Sequence, residues 1–211
     1  EFRRVLFRSR FWKRLEEGVP HQLFSELAVV NGFFDGLLGL EVDVPARRLK
    51  LAPRLPPAWS RLRVVRIPFG DERFDATFVR KDGVCDIEVL RGGDAPIDLE
   101  LAPRLPAGAV VREAVVDGEA CDRRVEADGT GTVVRIAFEH PGGAKRARIA
   151  FSGGIECVPV DEDVPPGGKS RNLRLIQAVL DGDVWAMTVE GLPGRDYYVE
   201  IRTALTPGET Y

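Results

Sequence analysis

Residues 73–89, RFDATFVRKDGVCDIEV, alternate apolar and polar side chains on either side of an Asp82-Gly83 pair. A period of two places every second side chain on one face, which is the pattern of a half-buried β-strand. Asp and Gly both favour the backbone conformations of tight turns. This segment therefore predicts two short strands separated by a turn.

The same pattern continues over most of the chain after residue 40. Further alternating runs occupy residues 97–101, 134–138 and 146–151. Turn residues separate the runs at positions 70–71, 92–94, 117–118, 128–129 and 142–143. Many short strands spaced about 8–12 residues apart are typical of an antiparallel β-sandwich. We predict a mainly β protein whose sandwich spans residues 41–157.

One segment of the chain is repeated. LKLAPRLP at residues 49–56 returns as LELAPRLP at residues 99–106, with Lys50 replaced by Glu100. Each copy is predicted to be a strand that stops at a proline, because proline cannot donate a hydrogen bond to a sheet. A single repetition does not indicate a repeat protein, so we interpret the copies as two strands leaving a sheet in the same way.

Residues 20–38 are predicted to form a helix. Pro20 suits the first helical turn, and Gly39 suits the position just past the C-terminus. The apolar positions recur at three- and four-residue steps and cover most of the circumference, which indicates a helix buried on most sides. Either this helix lies against the following sheet or its partners are missing, and we favour missing partners. The stripe comprises Leu23, Leu27, Val30, Phe34 and Leu38.

The C-terminal part of the chain is predicted to follow a linker. Residues 158–171, VPVDEDVPPGGKSR, are rich in proline, glycine and charge. Three further strands are expected at residues 173–180, 184–190 and 197–203. They either extend the first sandwich or begin a second β domain.

Composition excludes several kinds of partner and site. The net charge is −3 and the arginines are scattered among acids, so we expect no nucleic-acid partner. No apolar run reaches the roughly 18 residues of a membrane span, so we expect no membrane partner and a soluble, cytoplasmic protein. The three cysteines are far apart, which indicates free thiols rather than a disulfide framework or a zinc site. We expect neither a metal nor a cofactor.

Few residues are candidates for chemistry. Glu16 and Glu17 are adjacent acids before the sandwich, and glycoside hydrolysis requires two carboxylates, but solvated charges near helix ends are the alternative. His21 and Gln22 begin the apolar helix and either face a sugar or only satisfy backbone groups nearby. Tryptophans stack on sugar rings, yet single tryptophans are more often anchors in cores or domain interfaces. The tryptophans are Trp12, Trp59 and Trp185.

The motifs VPHQLFS (19–25), GLLGL (36–40) and LAPRLP (51–56), followed by Trp59, occur in an order that resembles the C-terminal portion of bacterial glycogen-debranching, amylo-α-1,6-glucosidase-like proteins. These proteins look related to the trehalase, glucoamylase and processing-glucosidase group. There the catalytic domain is a barrel of six helical hairpins, whose last helix leads into a β domain. The resemblance covers residues 11–151, and residues 172–203 more loosely.

The resemblance implies a function for the parent protein. It implies hydrolysis of an α-glucosidic bond in an oligo- or polysaccharide with inversion, one acid protonating the leaving oxygen and one base activating water. The general acid would lie upstream of this chain, Glu16 or Glu17 near the position of the base, and His21 and Gln22 facing the active site. Residues 10–40 would then be one or two helices left over from an α/α six-hairpin barrel, in contact with the rest of that missing barrel.

Two other functions stay open. The sandwich is alternatively a carbohydrate-binding module, or the chain belongs to a non-enzymatic surface protein of serial immunoglobulin-like domains. The latter gives no account of the apolar helix. Residues 1–9 are expected to be non-native, because Leu6-Phe7-Arg8-Ser9 resembles a translated sequencing adapter, although an Arg-rich transit peptide is the alternative.

Overall fold

The computed structural model describes residues 23–165 and 169–203. In these residues a helical segment precedes sixteen strands, so the predicted mainly β fold is confirmed. The helical segment consists of an α-helix, α1 (Leu23–Asn31), and a π-helix (Gly32–Leu38). The strands are β1 (Leu40–Asp43), β2 (Arg48–Leu51), β3 (Arg61–Phe69), β4 (Glu72–Lys81), β5 (Val84–Arg91), β6 (Ile97–Leu101), β7 (Arg104–Leu105), β8 (Val110–Val116), β9 (Glu119–Ala120), β10 (Arg124–Ala127), β11 (Thr132–His140), β12 (Gly143–Ser152), β13 (Ile155–Pro159), β14 (Arg174–Asp181), β15 (Val184–Glu190) and β16 (Val199–Thr203).

Two six-stranded sheets form the sandwich. The first has the order β1-β2-β6-β11-β10, with β7 also pairing with β11, and the second has the order β3-β4-β5-β12-β8-β9. The pairs are antiparallel except β2 with β6, which is parallel. The segment 73–89 forms β4, a turn at Asp82-Gly83 and β5, as its alternation predicts.

The inward faces of both sheets share one hydrophobic core. Along β4 every second side chain is buried, and β5 and β12 alternate in the same way. Burying a large aliphatic or aromatic side chain contributes about 1.5–3 kcal/mol, so this shared core is the main source of stability. The most buried members are Leu49, Leu51, Phe74, Phe78, Ile87, Leu99, Leu101, Ile136 and Ile149.

The two copies of the repeated segment lie side by side. Leu49 is the register partner of Leu99, and Leu51 is the partner of Leu101. After β2 and β6 end, the Arg104 N–H donates to the Pro53 carbonyl at 3.0 Å, so the two copies stay hydrogen-bonded past their first prolines. The repetition therefore encodes two adjacent strands of the first sheet. The prediction that both copies leave the sheet in the same way is wrong for the second copy, because its Arg104 and Leu105 form β7, which still pairs with β11.

The helical segment ends where the sequence predicts. Gly39 has a φ of +53°, and a Cβ there would lie 2.6 Å from the carbonyl oxygen of Ala52, so the position requires glycine. Leu38 is fully buried in the sandwich core, with Phe33 and Phe34 packed at its edge. The start predicted at Pro20 lies outside the described residues.

The α-helix is less covered than its C-terminal extension. Val29 is 75% exposed, Val30 47% and Leu27 42%. Among the described side chains of residues 27–38, Phe33, Phe34 and Leu38 pack against the sandwich, and an apolar face formed by residues 27–30 is open. The expectation that missing helices cover this face stays a prediction.

A buried polar cluster holds the connection between β5 and β6. Arg91 is 1% exposed; its Nε donates to Glu72 Oε2 at 2.7 Å and its Nη1 donates to the His140 carbonyl at 3.0 Å. A further bond runs from Arg91 Nη2 to the Ala95 carbonyl. The guanidinium thereby joins β5, the loop before β6 and the end of β11.

The C-terminal strands belong to two separate two-stranded pairs rather than to one three-stranded sheet. β14 pairs with β15, whereas β16 pairs with β13, which precedes the proline-rich segment. Residues 158 and 159, which composition places in the linker, therefore complete β13. The Leu180 N–H donates to the Gly129 carbonyl at 2.7 Å, which ties the β14–β15 pair to the sandwich.

Candidate functional site

The sequence-predicted catalytic and sugar-facing residues lie outside the described part of the chain. Glu16, Glu17, His21 and Gln22 all precede Leu23, and Trp12 lies there as well. Their roles stay predictions. Among the described residues, the candidate site is formed by the sandwich and the C-terminal strands.

A cleft of about 760 Å³ opens beside Trp59. We call it the Trp59 cleft. It lies between the loop before β3, the turn between β4 and β5, the end of β12, and the β13–β16 pair. Its lining comprises Pro57, Ala58, Trp59, Ser60, Arg80, Lys81, Asp82, Gly83, Pro106, Phe151, Ser152, Glu156, Arg202 and Thr203.

Trp59 is presented to solvent by a fixed turn. Trp59 is 45% exposed, and its backbone N–H donates to the Pro56 carbonyl at 2.9 Å. The next carbonyl, of Ser60, accepts from the Arg80 N–H at 2.8 Å. Proline fixes φ at consecutive positions 56 and 57, so the turn loses little entropy when a ligand binds. Trp59 is thus not a core anchor.

An ion pair forms the inner wall of the cleft. Arg80 Nη1 donates to Glu156 Oε1 at 2.7 Å, and the two side chains are 10% and 18% exposed. The pair connects β4 with β13, residues 76 positions apart in the chain. Because the bond uses Oε1, Glu156 Oε2 takes no part in it.

The outer wall is formed by Arg202 of β16. Its Nη1 donates to the Pro57 carbonyl at 2.9 Å, and its Nε and Nη2 each donate to Glu200 at 2.9 Å. The hydrogen bond from Arg202 lowers the pKa of the Glu200 carboxyl and raises the pKa of the guanidinium. Arg202 therefore links the last described strand to the turn that carries Trp59.

A second depression follows the outer face of the sheet that contains β4, β5 and β12. Ion pairs cross its strands: Arg63 with Asp75 at 3.3 Å and Arg148 with Asp86 at 3.5 Å. Within the part of the chain that the structure covers, no aromatic residue lines it. This face has the features of a solvated sheet surface and not of a recognition site.

The thiols are poorly suited to chemistry. Burial raises the pKa of Cys85 to about 12, and burial also raises the pKa of Cys121 and Cys157. A thiol is nucleophilic as its thiolate, so the raised pKa values lower the reactive fraction of these groups at neutral pH. Among residues 23–165 and 169–203, no group of three potential ligands is placed to hold a metal ion. No helix in the same residues is long and apolar enough to cross a membrane.

Sequence reasoning found Trp59 but not the groups around it. Trp59 is one of three tryptophans, and the second within the described residues, Trp185, is partly buried beside Leu175 and Ala178. Arg80, Glu156 and Arg202 come from distant strands, and no local pattern predicts that they meet. The sequence offered one weak signal for this site, a tryptophan that closely follows two prolines.

Comparison with known proteins identifies a related domain. Residues 42–104 match the family model for the glycosyl hydrolase family 65 C-terminal domain. The match covers less than a third of the chain, from within β1 to the start of β7, and supports a glycoside hydrolase C-terminal domain. No curated protein matches the chain significantly.

Two solved structures show distant similarity. An alpha-L-rhamnosidase from Dictyoglumus thermophilum is 12% identical with a TM-score of 0.39, over 66% of this chain and 15% of that one. A GH127 beta-L-arabinofuranosidase, Ara127N-Se, from Geobacillus stearothermophilus T6 is 11% identical with a TM-score of 0.33, over 86% of this chain and 33% of that one. The chain thus spans a third or less of either protein. Scores this low establish neither a shared fold nor a shared function.

Proposed function

We propose that this chain supplies the C-terminal β domain of a glycoside hydrolase that acts on α-glucosidic bonds. The observation that carries the proposal is the family match over residues 42–104. The order of the motifs from VPHQLFS to Trp59, which resembles glycogen-debranching-like proteins, supports the choice of an α-glucosidic substrate. In this proposal the sandwich is a scaffold, and the chain alone does not hydrolyse glycosides.

The open face of the helical segment supports the same proposal. Leu27, Val29 and Val30 are apolar and exposed, and exposed contiguous apolar surface commonly marks an interaction site. Leu38 and Gly39 fix the helical end to the sandwich, so the face has a defined position. Helices of a catalytic barrel would cover it, as the resemblance implies for residues 10–40.

The proposal is tested by assaying the chain with and without the protein segment encoded directly upstream. We expect the 211-residue chain to be inactive on maltose, isomaltose and glycogen, and the longer protein to release glucose. Inversion predicts that the first product seen by NMR is the β-anomer. In the longer protein, Glu16→Gln and Glu17→Gln test the base, with Glu119→Gln on the exposed strand β9 as the matched control.

Two results would contradict the proposal. One is an upstream sequence that encodes serial β domains in place of paired helices. The other is a longer, folded protein that hydrolyses none of the α-glucosides. Loss of activity in Glu119→Gln equal to that in Glu16→Gln and Glu17→Gln would show that neither candidate acts as the base.

A further inference from the structure

We infer that the Trp59 cleft is a binding site for an uncharged glucan chain. The α-linkage of that glucan rests on the proposed function; the site itself rests on the geometry of the cleft. Its elements are an exposed indole, polar walls whose charges are paired, and a rigid frame.

The exposed indole supplies a stacking surface. Trp59 is 45% exposed although tryptophan ordinarily buries most of its large apolar area. The apolar faces of pyranose rings stack on such surfaces, because an indole offers a flat apolar face of comparable size. Phe151 at the end of β12 also borders the cleft, but it is only 7% exposed and belongs to the core, so the stacking surface is that of Trp59.

The charges of the cleft favour a neutral polar ligand over an anion. Its three cations each have an acidic neighbour: Arg80 with Glu156 at 2.7 Å, Lys81 with Asp82 at 3.6 Å, and Arg202 with Glu200 at 2.9 Å. Phosphate and sulfate groups bind where several unpaired cations lie together. Among the described residues that line this cleft, no cation is unpaired. Paired ions still have hydrogen-bond donors and acceptors that can bind the hydroxyl groups of a sugar.

The lining also contains polar groups from several different elements of the fold. Glu156 uses Oε1 for Arg80, which leaves Oε2 as an acceptor along the inner wall. Asp82 is 83% exposed at the turn between β4 and β5, and Ser60 is exposed beside Trp59. Planar carboxylates and guanidinium groups accept or donate two hydrogen bonds to neighbouring hydroxyls.

Size and rigidity fit an oligosaccharide. The volume of about 760 Å³ lies within the roughly 300–1,000 Å³ of small-molecule sites. Pro56 and Pro57 fix the turn that carries Trp59, and Arg202 fixes it from the other side through the Pro57 carbonyl. A frame held in advance lowers the entropy cost of binding.

The test measures glucan binding by the full chain. Affinity electrophoresis through glycogen and titration with maltoheptaose, followed by tryptophan fluorescence, are compared for the native chain, Trp59→Ala and Trp59→Phe. We expect retardation of the native chain, at least tenfold weaker binding for Trp59→Ala, and an intermediate value for Trp59→Phe, which retains an aromatic face. Tyr198→Ala is the matched control, because Tyr198 is a 73% exposed aromatic residue that does not line the cleft.

A second variant covers the case in which Trp59→Ala fails to fold. Ser60→Arg adds bulk to the cleft from an exposed position and leaves the core unchanged, so it should fold and lose binding to a similar extent. Circular dichroism melts verify folding of each variant. Binding is also expected to change little between about 50 mM and about 500 mM NaCl, because paired charges release few counterions.

The inference is overturned if the native chain shows no glucan retardation, or if Trp59→Ala and Ser60→Arg bind glucan as the native chain does. Stronger, salt-sensitive binding of heparin than of maltoheptaose would also overturn it. These results are independent of hydrolysis: an inactive longer protein removes the proposed function and leaves Trp59-dependent binding in place. Conversely, if the longer protein is active and Trp59→Ala binds glucan as the native chain does, only the inference about the cleft is overturned.

Discussion

Leu49 and Leu99 are register partners in the parallel pairing of β2 with β6, and each is 1% exposed. They occupy the same position in the two copies of the repeated LxLAPRLP segment. Parallel neighbours need a long connection, and here it consists of three strands of the opposite sheet, β3 to β5. The first copy therefore marks the place where the chain leaves the first sheet for β3, and the second copy marks the place where it returns to that sheet.

Truncation of either leucine is expected to destabilise the sandwich. Leu99→Ala should lower the free energy of unfolding by about 2–5 kcal/mol, because the surrounding core cannot fill the cavity. Leu49→Ala should act similarly, and the double variant should deviate from additivity because the residues are neighbours. Urea unfolding gives these values. Leu90→Ala, at a position that is 47% exposed, is the control and should change stability much less.

Arg91 is expected to be far more important for stability than an exposed arginine. Arg91→Met removes the hydrogen bonds to Glu72 and to the His140 carbonyl and leaves Glu72 with Arg47, at 3.8 Å, as its cation. Breaking an ion pair that is buried typically costs about 3–5 kcal/mol. Arg148→Met removes the pair with Asp86, whose side chains are 56% and 48% exposed, and should cost less than about 1 kcal/mol. Equal losses of unfolding free energy in the two variants would show that the buried cluster contributes nothing specific.

His140 is expected to make the fold sensitive to mild acid. Burial lowers the pKa of its imidazole, and the positive charges of Arg91 and Lys145 lower it further, whereas bonds to backbone groups oppose the shift. The Gly142 N–H donates to Nδ1 at 3.1 Å, and Nε2 lies 3.1 Å from the Val89 carbonyl, an arrangement that suits the neutral ring. Asp117 is the nearby acid: the charge of His140 is among the causes that lower the pKa of the Asp117 carboxyl, and Asp117 also pairs with Lys145 at 2.7 Å.

The sign of the effect follows from linkage. The unfolded imidazole takes a proton near pH 6.5, while the folded one resists it, so stability is present above that pH and is lost as pH falls. The loss should approach about 1.4 kcal/mol per pH unit at most. Urea midpoints of the native chain and His140→Gln between pH 7.5 and pH 5.5 measure it, with both pH values chosen above the range of most carboxyl groups, about 3.9 to 4.3. A parallel decline in both proteins would assign the pH effect to other groups.

The open helical face is expected to cause self-association of the isolated chain. Val29→Lys and Val30→Lys should reduce binding of a hydrophobic dye and the fraction of oligomer seen by light scattering. Their melting temperature should not fall, because both side chains are exposed and lysine favours helix more than valine does. A native chain that is monomeric and binds no dye would contradict the prediction. Leu38→Ala, in the core, is the contrasting variant and should lower the melting temperature.

The local features of this fold were predictable and the distant pairings were not. Alternation is a property of neighbouring residues, so the strands around Phe74, Ile87 and Ile149 follow from the sequence, as does the helix end at Gly39. The pairing of β13 with β16 joins segments about 40 residues apart, and no periodicity specifies such a partner. Composition misplaced residues 158 and 159 in the linker for the same reason.

The site shows the same division. Trp59 and its neighbouring prolines were visible in the sequence. A role as a core anchor is wrong because Trp59 is 45% exposed, and a role as a domain-interface anchor stays a prediction. Arg80 and Glu156 lie on strands that are not neighbours in the chain, so their ion pair depends on the completed fold. Glu16, Glu17, His21 and Gln22 stay predictions.

The β13–β16 pair has a consequence for protein production. Ending an expressed chain inside the proline- and glycine-rich segment would look natural from composition, yet it would remove β16 and strip β13 of its backbone partners from Ile155 to Pro159. A bare strand edge of that kind recruits other chains, so such a product should precipitate. It would also lose Arg202, and with it one support of the Pro57 carbonyl. Any shortened version should therefore retain the chain through Thr203.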